Sequence, residues 1–144
     1  MAVSAKLYGS FPAKLANGEV DWDTNTIKVA LTTSSYTPNQ DTHDYFDDIT
    51  NQVVGTGYTA GGATLASKTV NYDSGTNVTT FDAADVTWST STITARYAII
   101  YRDTGVTSTS PLIGYVDFDA DVVSSGGDFT IQWNASGIFT ITVS

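Results

Sequence analysis

The alternation of apolar and polar residues in the second half of the chain constrains its fold more than any other feature. Ile93, Ala95, Tyr97, Ile99 and Tyr101 alternate with Thr92, Thr94, Arg96, Ala98 and Ile100. That is a period of two, and the second set turns apolar at its end, as in a central strand. Leu112, Gly114, Val116 and Phe118 share one face of the next extended run, and Phe129, Ile131 and Trp133 share one face of another. After the turn Asn134-Ala135-Ser136-Gly137, Phe139, Ile141 and Val143 alternate with threonines. Upstream, Thr64 to Tyr72 reads as a strand, Asp73-Ser74-Gly75-Thr76 as a hairpin turn, and Asn77 to Asp82 as the returning strand. Short strands separated by Gly-, Asn- and Asp-rich turns predict an all-β fold, an antiparallel β-sandwich formed as a single domain over residues 1–144.

The first half is less regular. Val3 to Tyr8 reads as a short first strand. Ser10 is placed to cap one helical turn through Leu15, which Asn17-Gly18 would stop. Asp21-Trp22-Asp23-Thr24-Asn25 reads as a turn into the strand Thr26 to Leu31. Residues 32–63 form one long irregular segment with room for a short helical turn between Asp41 and Asp48, so helix is limited to one or two turns. Within it, Gly55-Thr56-Gly57-Tyr58-Thr59-Ala60-Gly61-Gly62 lacks the lysine of a phosphate-binding loop and precedes no helix. It reads instead as a loop that needs positive φ angles close to a neighbouring backbone.

Composition narrows the function classes. The net charge of −9 and the scattering of the six basic residues oppose nucleic-acid binding, which needs clustered Lys and Arg. Cysteine is absent, which excludes thiol and disulfide chemistry. No apolar stretch is long enough to span a bilayer as a helix, and the start of the chain has no signal-peptide pattern. His43 is the only histidine and Glu19 the only glutamate, so acid, base and nucleophile sets are nearly absent. A Ser-His-Asp triad could be drawn through His43, but no nucleophile-elbow motif accompanies it, and a loop or capping histidine is the expected role. No catalytic residue and no cofactor is expected. Asp41, Asp44, Asp47 and Asp48 are calcium candidates by their oxygen density, although they do not follow the spacing of an EF-hand. The alternative role for them is capping a helical turn and solvating a loop. Trp88 and Trp133, in strand patterns, are expected in the core. Tyr36, Tyr45 and Tyr58 are either contact residues or a cover over the core.

Several stretches taken together resemble a family of small structural proteins of tailed bacteriophages. They are Asp21-Trp22-Asp23-Thr24, the run from Ser35 to His43, Gly55 to Gly62, Thr94-Ala95-Arg96-Tyr97-Ala98, and Pro111 to Phe118. The resemblance spans nearly the whole chain. It implies a virion component assembled in the bacterial cytoplasm, with a capsid decoration (cement) protein on the outside of the head as the first placement. A tail, baseplate or fibre-associated protein is the second, and a virion glycan hydrolase a distant third. The first placement implies the major capsid protein and copies of the chain itself as partners, as homotrimers at local three-fold positions. The candidate contacts are then the N-terminal arm (Ala2, Val3, Leu7, Tyr8) and the tyrosines of the irregular segment (Tyr36, Tyr45, Tyr58).

Overall fold

A computed structural model describes residues 3–144. Its strands are β1 (Ser4–Leu7), β2 (Ile27–Thr32), β3 (Ala63–Thr64), β4 (Thr69–Asp73), β5 (Val78–Asp82), β6 (Val86–Arg102), β7 (Leu112–Ile131) and β8 (Phe139–Thr142). Its helix is α1 (Phe11–Ala16), joined by single 3-10 turns at Phe46–Asp48 and Thr107–Thr109. A five-stranded sheet runs β1-β7-β6-β2-β3 and a three-stranded sheet runs β4-β5-β8. Every pairing is antiparallel. The all-β, sandwich-like architecture expected from the alternation is what forms.

The five-stranded sheet is covered on both faces along β2, the end of β6 and the start of β7. Along β2, Val29 and Leu31 point into a core closed by Phe81, Trp22 and Phe11, with Phe139 of the small sheet packed against it. Ala30 points the opposite way, into a second core of Tyr8, Tyr36, Phe46, Ile99, Tyr101 and Leu112. The irregular segment supplies Tyr36, Phe46 and Ile49 to that second core, so the long loop is the outer layer over the sheet. Double coverage is why β2 and the end of β6 are apolar on both parities.

Two predicted faces are broken by bulges. Between Ala95 and Tyr97 the β6–β7 register shifts: Ala95 faces Val122 while Tyr97 faces Asp117. Ile93 and Ala95 therefore share the first core with Ala98 and Ile100, whereas Ile99 and Tyr101 belong to the second, with Tyr97 packed against it. A second shift sets Gly114 opposite Ile100 but Leu112 opposite Tyr101, leaving Ile113 unpaired between them. This places Leu112 in the second core and Val116 and Phe118 against the first. An extra residue reverses side-chain parity, and apolar residues on both sides of it hide the reversal from a period count.

Three further expectations change in detail. The run from Thr64 to Tyr72 is two strands in different sheets, separated at Ser67, whose φ is 52°. Ser10 precedes α1 but its side chain makes no capping bond, and its Oγ is buried without a partner. Trp133 lies just past β7 at the rim of the core, its Nε1–H donating to the Ala84 carbonyl at 3.0 Å. Trp88 is buried as expected, and the Asn17-Gly18 stop holds, with Gly18 at φ 76°.

The larger bulge is held by charge. Arg96 Nε donates to Asp117 Oδ1 at 2.7 Å, and the Asp119 N–H donates to the same oxygen at 2.8 Å. At the end of β2, Lys28 Nζ sits 2.7 Å from Asp103 Oδ2. The Arg96 hydrogen bond holds the Asp117 carboxyl below its ordinary value, and the Lys28 hydrogen bond does so for Asp103. Folded-state values below the unfolded 3.8 mean that this stabilisation is complete above 3.8 and is lost as pH falls through the depressed values. Both pairs are partly solvated, so each is worth no more than about 1 kcal/mol. Urea unfolding from about pH 6 to about pH 2 is expected to show a falling midpoint in the native chain. The Asp103→Asn, Asp117→Asn double variant should start lower and converge on it in acid. Parallel curves would show that neither pair carries acid sensitivity.

Candidate functional site

The two sheets part at one side of the sandwich. There an apolar groove of about 680 Å³ opens, lined by Val3, Leu7, Val116, Phe118, Trp133 and Phe139 among others. Register explains the lining. Ala5 and Leu7 lie opposite Val116 and Gly114, so the odd residues of β1 face the groove. Ser4 and Lys6 have the opposite parity, although Lys6 still borders the groove. Two strand edges flank the opening, because among the described residues β1 pairs only with β7 and β8 only with β5. Of the residues lining the groove none is a carboxylate or a histidine. Its chemistry is that of a dry contact surface beside unpaired backbone N–H and C=O groups.

The contact candidates divide sharply. Ala2 lies outside the described residues. Val3 is 64% exposed at the rim of the groove, and Leu7 is half-buried against the first core. Tyr8 and Tyr36, at 0% and 1% exposure, are corrections to the contact reading, since their rings are core and offer no side-chain surface. Their hydroxyls meet at 3.0 Å, and Tyr36 Oη lies 2.8 Å from His43 Nδ1. The Asn39 backbone N–H also donates to that nitrogen, at 3.3 Å. An Nδ1 that accepts from a backbone amide is unprotonated, which orients the chain as Tyr8 to Tyr36 to His43. Burial pushes the Tyr36 phenol up to about 12 and raises that of Tyr8 further. His43 thus ties the loop to the second core as a local hydrogen-bond acceptor.

Tyr45 and Tyr58 are partly buried and similarly engaged. Lys14 Nζ sits 3.1 Å from the Tyr45 ring centre, and Tyr45 Oη donates to Glu19 Oε2 at 3.2 Å. Tyr58 Oη accepts the Leu31 backbone N–H at 2.9 Å, and burial raises its phenol to about 12. Both tyrosines fasten the irregular segment to the sandwich.

The calcium candidates do not converge. Asp48 Oδ2 accepts the Asp44 N–H at 2.9 Å, capping the 3-10 turn. The Asp44 carbonyl accepts from Lys14 Nζ at 2.7 Å, with the carboxylate 3.7 Å from the same cation. Asp41 and Asp47 are exposed. Among the described residues no three acidic or histidine side chains form a group that could hold an ion. Lys14 and a backbone N–H occupy Asp44 and Asp48, and the exposed Asp41 and Asp47 are not grouped with them.

Sequence reasoning missed the exposed apolar residues that run on from the groove along the free edge of β8. Ile141 is 37% exposed and Val143 65%, although both continue the inward parity of Phe139. The available signal was charge rather than periodicity, since residues 129–144 contain no charged side chain in a chain of net charge −9. Among the described residues no helix is long and apolar enough to cross a membrane. Compared with protein-family models, with curated proteins and with solved structures, the chain matches none.

Proposed function

We propose that this protein is a non-catalytic structural component of a tailed-bacteriophage virion, a decoration protein that binds the outside of the head. The observation that carries the proposal is the apolar groove between two unpaired strand edges, in a domain whose lone histidine, buried lysine and loop tyrosines are committed to internal contacts. A sandwich with a largely apolar opening suits repeated docking, and strand edges supply main-chain hydrogen bonds to a partner. The sequence resemblance gives the particle. The geometry supports assembly over turnover, because the groove presents no carboxylate pair of the kind glycan hydrolysis uses.

The test is a reconstruction of the virion that encodes the chain, with mass spectrometry of purified particles. The expected result is many copies of a β domain on the head exterior. A few copies at the tail would replace decoration with the tail or baseplate reading. Absence from purified particles would overturn the structural role.

A further inference from the structure

The small sheet is wider than the core it covers. Val70, Phe81 and Phe139 form one cross-strand row on its inner face, and the next row on that face is Tyr72, Thr79 and Ile141. Phe81 is 5% exposed, yet Tyr72 is 57% and Ile141 37% exposed. These side chains point inward by parity and meet solvent, so the inner face projects beyond the five-stranded sheet. Beside it runs the free edge of β8, Phe139-Thr140-Ile141-Thr142, followed by Val143. That edge is β-branched and aromatic, with no charge, proline or glycine. An edge of this kind pairs readily with another strand unless something blunts it.

We infer that the occupant of this edge is a second copy of the chain, joined β8 to β8 across a twofold axis at Ile141, so that the small sheets of two copies become one continuous sheet. The inference rests on the reading of the groove as an assembly surface and names its partner. Charge selects the copy and the strand. A chain of net charge −9 can approach itself closely only where it carries no charge. β1 carries Lys6, β4 carries Asp73, and the part of β7 beyond β1 carries Asp119, Asp121 and Asp128. β3 is only two residues long. Among the terminal strands of the two described sheets, β8 is the one longer than two residues that carries no charged side chain. The uncharged part of β6 beyond β2 already has a loop against it, with the Thr92 N–H donating to the Thr56 carbonyl.

Backbone direction selects the register. Val143 N–H donates to the Asn77 carbonyl, so Val143, Ile141 and Phe139 direct their backbone groups at β5. By the alternation of an antiparallel ladder, Thr140 and Thr142 direct theirs outward. A twofold at Ile141 sets each Thr140 opposite the second copy's Thr142, where both pairs of outward groups are satisfied. It sets Ile141 against the second copy's Ile141 in the closer, non-hydrogen-bonded position. Phe139 meets the second copy's Val143, covering the most exposed residue of the strip. Such a contact is isologous and closes at two copies, in place of the three-fold arrangement implied by the family resemblance.

Sedimentation equilibrium of the intact protein is expected to show a concentration-dependent rise to twice the 15.3 kDa chain mass. Amide hydrogen exchange should show Thr140 and Thr142 slowing with concentration. The exposed side chains of Thr140 and Thr142 permit a charge test that leaves the inner face alone. Thr140→Lys with Thr142→Lys should be folded and monomeric, as should Thr140→Asp with Thr142→Asp, and mixing the two variants should restore the doubled mass. Native protein that stays monomeric, or that reaches three chain masses, overturns the inference. So does unchanged dimerisation of the folded lysine variant, or a mixture that stays monomeric. Should a variant fail to fold, the native mass and the exchange of the two threonine amides decide alone. A monomer in solution that is still found on virions would leave the structural role standing and remove only the β8 contact.

Discussion

Replacing Gly62 by alanine is expected to cost on the order of 3–5 kcal/mol and to lower the melting temperature by roughly 10 °C or more. Gly62 has φ 78°, and a Cβ there would lie 1.8 Å from the Val29 carbonyl oxygen and 2.7 Å from the Ala30 Cα. Both atoms belong to the backbone of β2, which is held between β3 and β6 and cannot retreat without breaking a ladder. Gly105→Ala separates the two costs. Its φ is 88° but nothing lies within 4 Å of the added carbon, so only the left-handed conformation is penalised, by roughly 1–2 kcal/mol. Thermal unfolding of the two variants side by side checks this, and equal losses would refute the close-approach argument.

Trp22→Ala is the second large effect, expected at about 3–5 kcal/mol. The ring is 2% exposed and meets Phe81 and Phe139 edge-on, with centroids 6.1 and 5.4 Å away. Its Nε1–H donates to the Asp82 carbonyl at 3.0 Å. Truncation removes the plug between the sheets and strands that carbonyl. Trp22→Phe keeps most of the ring and loses only the donor, so its cost should fall to roughly 1–3 kcal/mol. Urea titration of both variants measures the split. A loss in Trp22→Ala no greater than in Trp22→Phe would show that the hydrogen bond, not the packing, matters.

These two residues also mark what the sequence made legible. The glycine-rich run around Gly62 reads correctly as a close backbone approach, because positive φ and absent side chains are written in the residue type itself. The sandwich reads correctly because each strand carries its own alternation. Trp22 was legible only as part of a turn. Asp21 and Asn25 close that turn through an Asp21 N–H to Asn25 Oδ1 bond of 2.8 Å, and the turn's polar sequence hides that its one large ring is aimed inward. Bulges at Arg96 and Ile113 were invisible for a related reason, since beyond Arg96 and around Ile113 the sheet is apolar on both faces and no polar residue betrays the change of parity. Tyr8 and Tyr36 were equally ambiguous between contact and core. Their fate depends on a loop folding back over the sheet, and no local pattern encodes that. The β8 edge was legible in charge and overlooked in period.

The pairing of β1 with β7 makes folding depend on contacts distant in sequence. Ser4 lies opposite Asp117 and Leu7 opposite Gly114, so β1 has no ladder until a strand far along the chain is in place. β5 waits likewise for β8. Until then both sheets are incomplete, and closing such long loops places folding on the slow, millisecond-to-second side of the range for domains of this kind. The apolar edges of both sheets therefore stay open until these distant pairings form, and the chain is most prone to aggregate before they do.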